Sequence, residues 1–496
     1  MDKNSRFFGN SGDRSEQVKD AAEREVAQLL KHYEERKRLF EPSLDALVMF
    51  ATSGNPDVAR IGTNAIFGSI VEKLSDSFEP EYCVFYDEFF AHLIDKCRRI
   101  PRGRRVDSVL KSFGISDAEA LLRRRHALKA RRPAGGISPP RAAAVLSRVT
   151  LGADVASTSV VISALRRLFP DTTIVFVGPE ASYGLFSGDP RVVHRDVPYE
   201  RHGALLERLD AWVRLVDVVA ELEREVGRQD LVVIDTDSRL TQLGLLPVLK
   251  DDSRYYHFES RSYQKPSLCE LSRLTAAWMA EWFGSDPFIM PELRLPKREL
   301  ELAAKLGRLL GRGAEGGVAS VSFGVGGNEA KRVGDVFEEE LVAGLMRARK
   351  TVLLTCGGDR EERLRVRELA GRIAERGVPL FEWNADVVFG TAAQPLIGPA
   401  LVLWTGTTGE FCSAILASDV YVGYDSAGQH IAAALGVPTV SVFTAAAPER
   451  HAERWRPYGP APVHVIHETA VGKAVEKQKE IAEEVVRVCS FYPKAF

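Results

Sequence analysis

Between the apolar run from Ser418 to Val422 and the helix-forming stretch from Ile431 to Gly436 stands Asp425-Ser426-Ala427-Gly428-Gln429-His430. A strand that ends in small and polar residues and turns directly into a helix leaves the first N–H groups of that helix without backbone partners. Together with the positive end of the helix dipole, they face whatever lies beyond the strand. That arrangement suits a phosphate. It equally suits an ordinary turn in which Asp425 or Ser426 caps the helix and His430 is a packed side chain.

Three further loops carry side chains of matching chemistry. Asp154 follows Thr150-Leu151-Gly152-Ala153; a carboxylate at the carboxyl end of a strand can take the proton of an attacking hydroxyl, or can cap the helix that begins at Val155. Lys331 closes the loop Gly324-Val325-Gly326-Gly327-Asn328-Glu329-Ala330, whose glycines allow a ligand close to the backbone, and its charge could neutralise a phosphate, with Arg332 as a substitute. A solvated surface lysine is the alternative. With Glu329 at the third glycine position and no Gly-Lys-Ser/Thr, the loop is neither a dinucleotide fingerprint nor a Walker loop. Gly357 and Gly358 precede two acids, Glu361 and Glu362, and Thr407 and Thr408 end another apolar run, where their backbone groups would line a base pocket.

The elements that must position these residues alternate. Strands are expected at Ala144 to Val149, Thr173 to Val177, Leu231 to Ile234 and Arg254 to Phe258, with helices at Val155 to Phe169 and Leu205 to Val226. A second block repeats the pattern: strands from Val318, Thr351, Leu401, Ser418 and Val437, with helices at Val336 to Arg347 and Glu362 to Glu375. Unbroken apolar strands between helices signal parallel sheets covered on both faces. The expected class is therefore α/β, two Rossmann-like doubly wound domains at 142–290 and 291–470, with a cleft between them. Residues 1–20 are rich in polar and charged types and are expected to be disordered. Residues 21–132 show helical spacing only and predict an additional all-α domain; 133–141, rich in proline and glycine, predict a linker, and 471–496 a helix that crosses back to brace the first block.

Asp425 to His430, the run Ala432 to Pro438 and the Pro457-Tyr458-Gly459-Pro460 loop together resemble the C-terminal domain of glycosyltransferase family 9, the heptosyltransferase-like enzymes of GT-B fold. Ala427 stands where that family has glycine, and Ala153 separates Gly152 from Asp154 where the family has Gly-Asp-Val. The resemblance implies an inverting transfer from a nucleotide-diphospho-sugar, ADP-heptose being the family's usual donor, to a glycan, glycolipid or protein acceptor, as in lipopolysaccharide biosynthesis. It makes Asp154 the general base and Lys331 the residue on the leaving diphosphate. It also assigns a glutamate after Gly357-Gly358 to the ribose, Glu361 being preferred over Glu362. Asp425, Ser426, Ala427, Gly428 and His430 would complete the donor site. A catalytically silent sugar-nucleotide- or carbohydrate-binding scaffold of the same fold is the alternative.

Composition narrows the classes. The 496 residues carry a formal charge of -2, so no bulk polyelectrolyte character points to nucleic acid. The six cysteines are scattered without a CxxC pair, which reads as reduced thiols in a cytoplasmic protein. No run of about 18 apolar residues predicts a membrane span. Asp235-Thr236-Asp237 has the spelling of a metal-binding Asp-x-Asp, but it lies in the first block, away from the nucleotide elements, and a structural or acceptor-side role is expected; no metal or other cofactor is required. Between Lys96 and Arg132, 13 basic residues face only Asp107, Asp117 and Glu119. This block could touch an anionic membrane surface, placing the protein at the inner face of the membrane, or could be a solvated helix face.

Overall fold

The computed structural model describes residues 11–71, 74, 78–133, 135–201, 203–313, 315–358, 360–390, 394–445, 447–468 and 474–492. Two compact units emerge: Met1–Val149 with Val175–Pro179 and His194–Gln264, and Thr150–Ile174 with Glu180–Val193 and Lys265–Phe496. The boundary expected near residue 290 is therefore displaced. Helices Ser159–Leu168 and Leu271–Phe283 belong to the second unit, where the Ser157 and Thr275 hydroxyls meet at 3.1 Å.

A five-stranded sheet is built from β1 (Ala142–Leu146), β2 (Thr173–Gly178), β3 (Val192–Asp196), β4 (Leu231–Asp235) and β5 (Tyr255–His257), in the order β3-β2-β1-β4-β5. β1 pairs with β4, and β4 with β5, in parallel. Every residue of β1 and β4 is buried, as the apolar runs require.

The helical N-terminal segment packs on this sheet. Helices Ser11–Arg36, Glu41–Ala51, Pro80–Arg99 and Ala118–Ala130 bury Leu29, Leu44, Phe85, Phe89 and Leu121 in one cluster with Leu146, Val233 and Tyr255 of the strands. They share the core of the sheet, so the expected separate all-α domain and its linker are replaced by one unit. Ser11 to Asp20, expected to be disordered, form the first turns of a helix whose Ala22, Val26, Leu29 and Tyr33 are buried at helical spacing; residues 1–10 lie outside the described residues.

Part of the arginine-rich block is consumed in this packing. Arg98 is buried and bonds Asp107 and the Ile115 carbonyl at 2.6 and 2.8 Å. Arg124 reaches Asp252 at 2.6 Å, and Arg131 bonds the carbonyls of Asp252 and Tyr255. Arg125 lies 2.6 Å from Glu259, 3.3 Å from Asp87 and 2.9 Å from His257 Nδ1. These side chains clamp helices onto the sheet, while Arg99, Arg102, Arg104, Arg105, Lys111, Arg123 and Arg132 of the same block are exposed.

The second unit holds a seven-stranded sheet: β6 (Val318–Ser322), β7 (Thr351–Thr355), β8 (Leu380–Trp383), β9 (Leu401–Trp404), β10 (Val420–Tyr424), β11 (Thr439–Phe443) and β12 (Val463–His467). The order is β12-β11-β10-β6-β7-β9-β8, and all six neighbouring pairs run parallel. β6 is followed on one side by β7 and on the other by β10, so the strand order reverses between β6 and β10. Ligands of such sheets sit at the carboxyl ends of the strands at this switch point. The loop after β6 carries Lys331 and the loop after β10 carries Asp425.

The C-terminal helix Val475–Ser490, expected to cross back to the first block, belongs to the second unit. Its Ile481, Ala482 and Val485 join the core of the seven-stranded sheet, and the Gln478 side chain accepts a hydrogen bond from Phe337 N at 3.1 Å at the start of helix Asp335–Arg347. Gly344 allows this contact, since a Cβ there would lie 2.8 Å from Val486. No described helix is long and apolar enough to cross a membrane.

Removing one partner of a buried ion-pair network strands the others in a low-dielectric interior. Replacing Arg125 by Ala should therefore lower the unfolding free energy by about 3–5 kcal/mol, read from urea titration. A loss below about 1 kcal/mol would mean that the Asp87 and Glu259 charges are compensated by other groups.

Candidate functional site

Asp425 directly follows β10 and is 6% exposed. Lys331 Nζ lies 2.7 Å from its Oδ2 and 3.3 Å from its carbonyl oxygen; His451 Nε2 lies 3.2 Å from the same Oδ2, and Gln429 Nε2 donates to Oδ1 at 3.0 Å. Gln429 is in turn fixed by the Ser441 hydroxyl of β11, which donates to its side-chain oxygen. Burial alone would raise the Asp425 pKa, but the His451 hydrogen bond and the Lys331 charge hold the carboxyl well below the usual carboxylate range. The carboxylate is thus an anchor for Lys331.

Ser426 is the N-cap of helix Ala427–Ala434, with an extended backbone at φ -153°. Ala427 is the first helical residue and avoids the left-handed region, so glycine is not needed there. Gly428 is needed: a Cβ would overlap the buried Tyr421 hydroxyl and lie 3.1 Å from Phe411. His430 is 4% exposed and packs its edge against Trp455, ring centroids 5.9 Å apart. Burial, reinforced by the Lys331 charge and opposed by Asp425, pushes its pKa down to about 4. It is a neutral packed residue at pH 7.

The loop after β1 meets this helix. At Gly152 a Cβ would lie 3.2 Å from Ala427 Cα and 3.3 Å from the His430 ring. Asp154 follows in a π-helical turn, Asp154–Thr158, and is 0% exposed, with the Thr158 hydroxyl donating to Oδ1 at 2.8 Å. The structure therefore brings Gly152 to Asp154 beside Ala427 and His430.

The other candidates divide. Arg332 is saturated by Glu338 at 2.8 Å, Asp335 at 2.5 Å and Glu329 at 3.1 Å, and so is no substitute for Lys331. Glu362, not Glu361, lies against the glycine loops: its carboxylate occupies the space a Cβ at Gly357 would take and sits 2.8 Å from the Cβ position of Gly324. Glu361 is exposed, on the helix face shared with Arg332, Arg365 and Arg372, and Gly358 is exposed too. Thr407 caps helix Thr408–Leu416 in a capping box with Glu410, which Arg298 holds at 2.9 Å; Thr408 is half-buried. In the first unit Asp235 accepts from Thr241, Tyr255 and Ser238 N, and Asp237 from Ser260 and Arg261, so protein donors engage both carboxylates of the Asp-x-Asp.

Sequence reasoning did not single out His451, Gln429, Ser441 or Thr158. Gln429 lay inside the motif and His451 beside the polar loop at Pro448; what hid them was that their common partner is a buried acid.

The segment 406–484, which contains Asp425, Gln429, His430 and His451, matches the model of glycosyltransferase family 9 (heptosyltransferase). Over those residues the chain is similar to family 9 glycosyltransferases. Among solved structures, the family 9 glycosyl transferase of Veillonella parvula DSM 2008 is 14% identical, over 71% of this chain and 98% of that one, with a TM-score of 0.50. The ADP-heptose lps heptosyltransferase II of E. coli is 16% identical over 70% and 99%, with a TM-score of 0.45. E. coli heptosyltransferase WaaC, solved with ADP, is 16% identical over 71% and 99%, with a TM-score of 0.44. The first likeness shows a shared fold, of the GT-B-like kind. A comparison with curated proteins finds no match.

The depressed His430 pKa has a consequence for stability. Between its ordinary value of 6.5 and about 4 the unfolded chain binds the proton and the folded chain does not. Stability contributed by this residue must then rise with pH across that window and fall as the solution is acidified through it. Urea midpoints measured from pH 7 to pH 4 should decline less steeply in His430→Gln than in the parent chain. Parallel declines would show that His430 is not excluded from protonation by its burial.

Proposed function

We propose that the protein transfers a sugar, with inversion and without a metal ion, from a nucleotide-diphospho-sugar to a hydroxyl of a glycan, glycolipid or protein acceptor. The observation that carries this reading is the position of Lys331 Nζ, fixed 2.7 Å from Asp425 at the first turn of helix Ala427–Ala434, at the switch point of the seven-stranded sheet. A cation and a helix N-terminus converge there, and together they can take up the charge of a leaving diphosphate. The acceptor oxygen attacks the anomeric carbon, its proton passes to Asp154, and the bond from that carbon to the diphosphate oxygen breaks. Glu362 is the carboxylate placed to accept the ribose hydroxyls. Metal independence is supported by this charge set and by the protein donors that engage Asp235 and Asp237. An adenosine diphosphate-heptose donor and a lipopolysaccharide acceptor are the substrates to test first, because E. coli relatives carry them in their names.

One observation favours the silent-scaffold reading. Asp154 is completely enclosed and already hydrogen-bonded by Thr158, whereas a base must reach the acceptor hydroxyl. Asp154→Asn separates the two. With a nucleotide sugar that raises the melting temperature of the protein, the variant should bind the donor within a few fold of the parent and lose transfer by about two to four orders of magnitude. Near-normal turnover in the variant would remove Asp154 from the base position, and the absence of any stabilising nucleotide sugar would remove the donor site.

A further inference from the structure

Tyr421, in β10, is fully buried, and its side chain lies along the strand over Gly423, two positions further on the same face. The hydroxyl ends beneath the turn that follows β10. A Cβ at Gly423 would overlap this oxygen, and so would one at Gly428, in the first turn of helix Ala427–Ala434. One phenol thus requires both glycines. Parallel pairing sets Gly423 opposite Ser322, the last residue of β6, so the Ser322 side chain emerges on the face that carries Tyr421.

Among the described residues the phenol oxygen has no partner in full hydrogen-bond geometry, and the side chains that interact with it are those of Ser322 and Ser426. Burial, with a contribution from the Glu362 charge, raises its pKa well above the ordinary value, although the two serines oppose the rise. The phenol therefore keeps its proton and can donate it. Ser322 is buried, whereas Ser426 is half-buried at the start of the helix. A serine at an N-cap ordinarily spends its oxygen on the N–H groups of its own helix. Ser426 makes no such side-chain bond, which leaves its oxygen for the phenol and its proton for a group beyond the helix.

We propose that Tyr421 is a positioning residue for the diphosphate of the donor, a role that rests on the donor-site reading given above: its O–H donates to the Ser426 oxygen and so directs the Ser426 O–H onto a phosphate oxygen. Ser426 directly follows Asp425, which holds Lys331, so a hydroxyl and an ammonium meet the same group from neighbouring positions. A hydroxyl whose rotation is fixed before the ligand arrives loses less freedom on binding, and its bond to an anion is charge-assisted.

Calorimetric titration of the full chain with ADP, GDP and UDP selects the diphosphate that binds most tightly. That nucleotide and its nucleoside are then titrated into Tyr421→Phe, Ser426→Ala and the double variant, and a urea midpoint is measured for each. Ser426→Ala should weaken diphosphate binding roughly tenfold, the loss of one hydrogen bond to a charged group, and Tyr421→Phe roughly two- to tenfold, the loss of a neutral one. The double variant should be no weaker than Ser426→Ala, and nucleoside affinity should be the same in all of them. Tyr421→Phe keeps the ring over Gly423 and should keep the parent's urea midpoint. Equal losses for nucleotide and nucleoside, losses that add in the double variant, undiminished diphosphate affinity in either single variant, or a Tyr421→Phe chain that does not fold would overturn the role of Tyr421. A parent chain that binds none of the three diphosphates would overturn the donor-site reading, and this role with it.

Discussion

A single buried carboxylate ties the candidate donor site together. Asp425 is enclosed at the end of β10, where an unpaired charge would be costly, and it is stable there because donors from three other segments converge on it: Lys331 from the loop after β6, Gln429 from the helix that follows and His451 from the segment after β11. Each of those segments must therefore hold its position to within hydrogen-bond distance. The sheet makes this possible, since β6, β10 and β11 are adjacent and parallel, and their carboxyl ends deliver the three loops to one place. The exposed part of Lys331 is what remains available to a ligand.

The parts of the fold legible in the sequence were those whose physics is local. Continuous apolar runs gave the central strands β1, β4, β6, β7, β9, β10 and β11, because strands covered on both faces must be apolar throughout. The strands absent from that reading, β3, β8 and β12, are all at sheet edges, where Val-Val-His-Arg-Asp, Leu-Phe-Glu-Trp and Val-His-Val-Ile-His can carry polar side chains. The motif around Asp425 was legible as a strand-to-helix turn. Its inward-facing role was not, because the residues that neutralise Asp425 lie as far away as Lys331 and His451. The choice between Glu361 and Glu362 was likewise a matter of helix phase, which the glycines against Glu362 decide.

The N-terminal helices show the same limit from the other side. Read as a local run of charge, the segment from Lys96 to Arg132 suggested a surface. In the structure Arg124, Arg125 and Arg131 pair with groups more than a hundred positions further along the chain, at Asp252, Tyr255 and Glu259. Their cationic ends are spent on fixing the helices to the sheet.

The central claim is that Asp425 acts on the donor through Lys331. A double-mutant cycle measures this directly: the affinity for ADP is determined by calorimetry for the parent, Asp425→Asn, Lys331→Ala and the double variant. If the carboxylate works by holding the lysine, each single change weakens ADP binding and the double variant is no weaker than Lys331→Ala alone. Losses that simply add would show that Asp425 and Lys331 act independently, and would contradict the account.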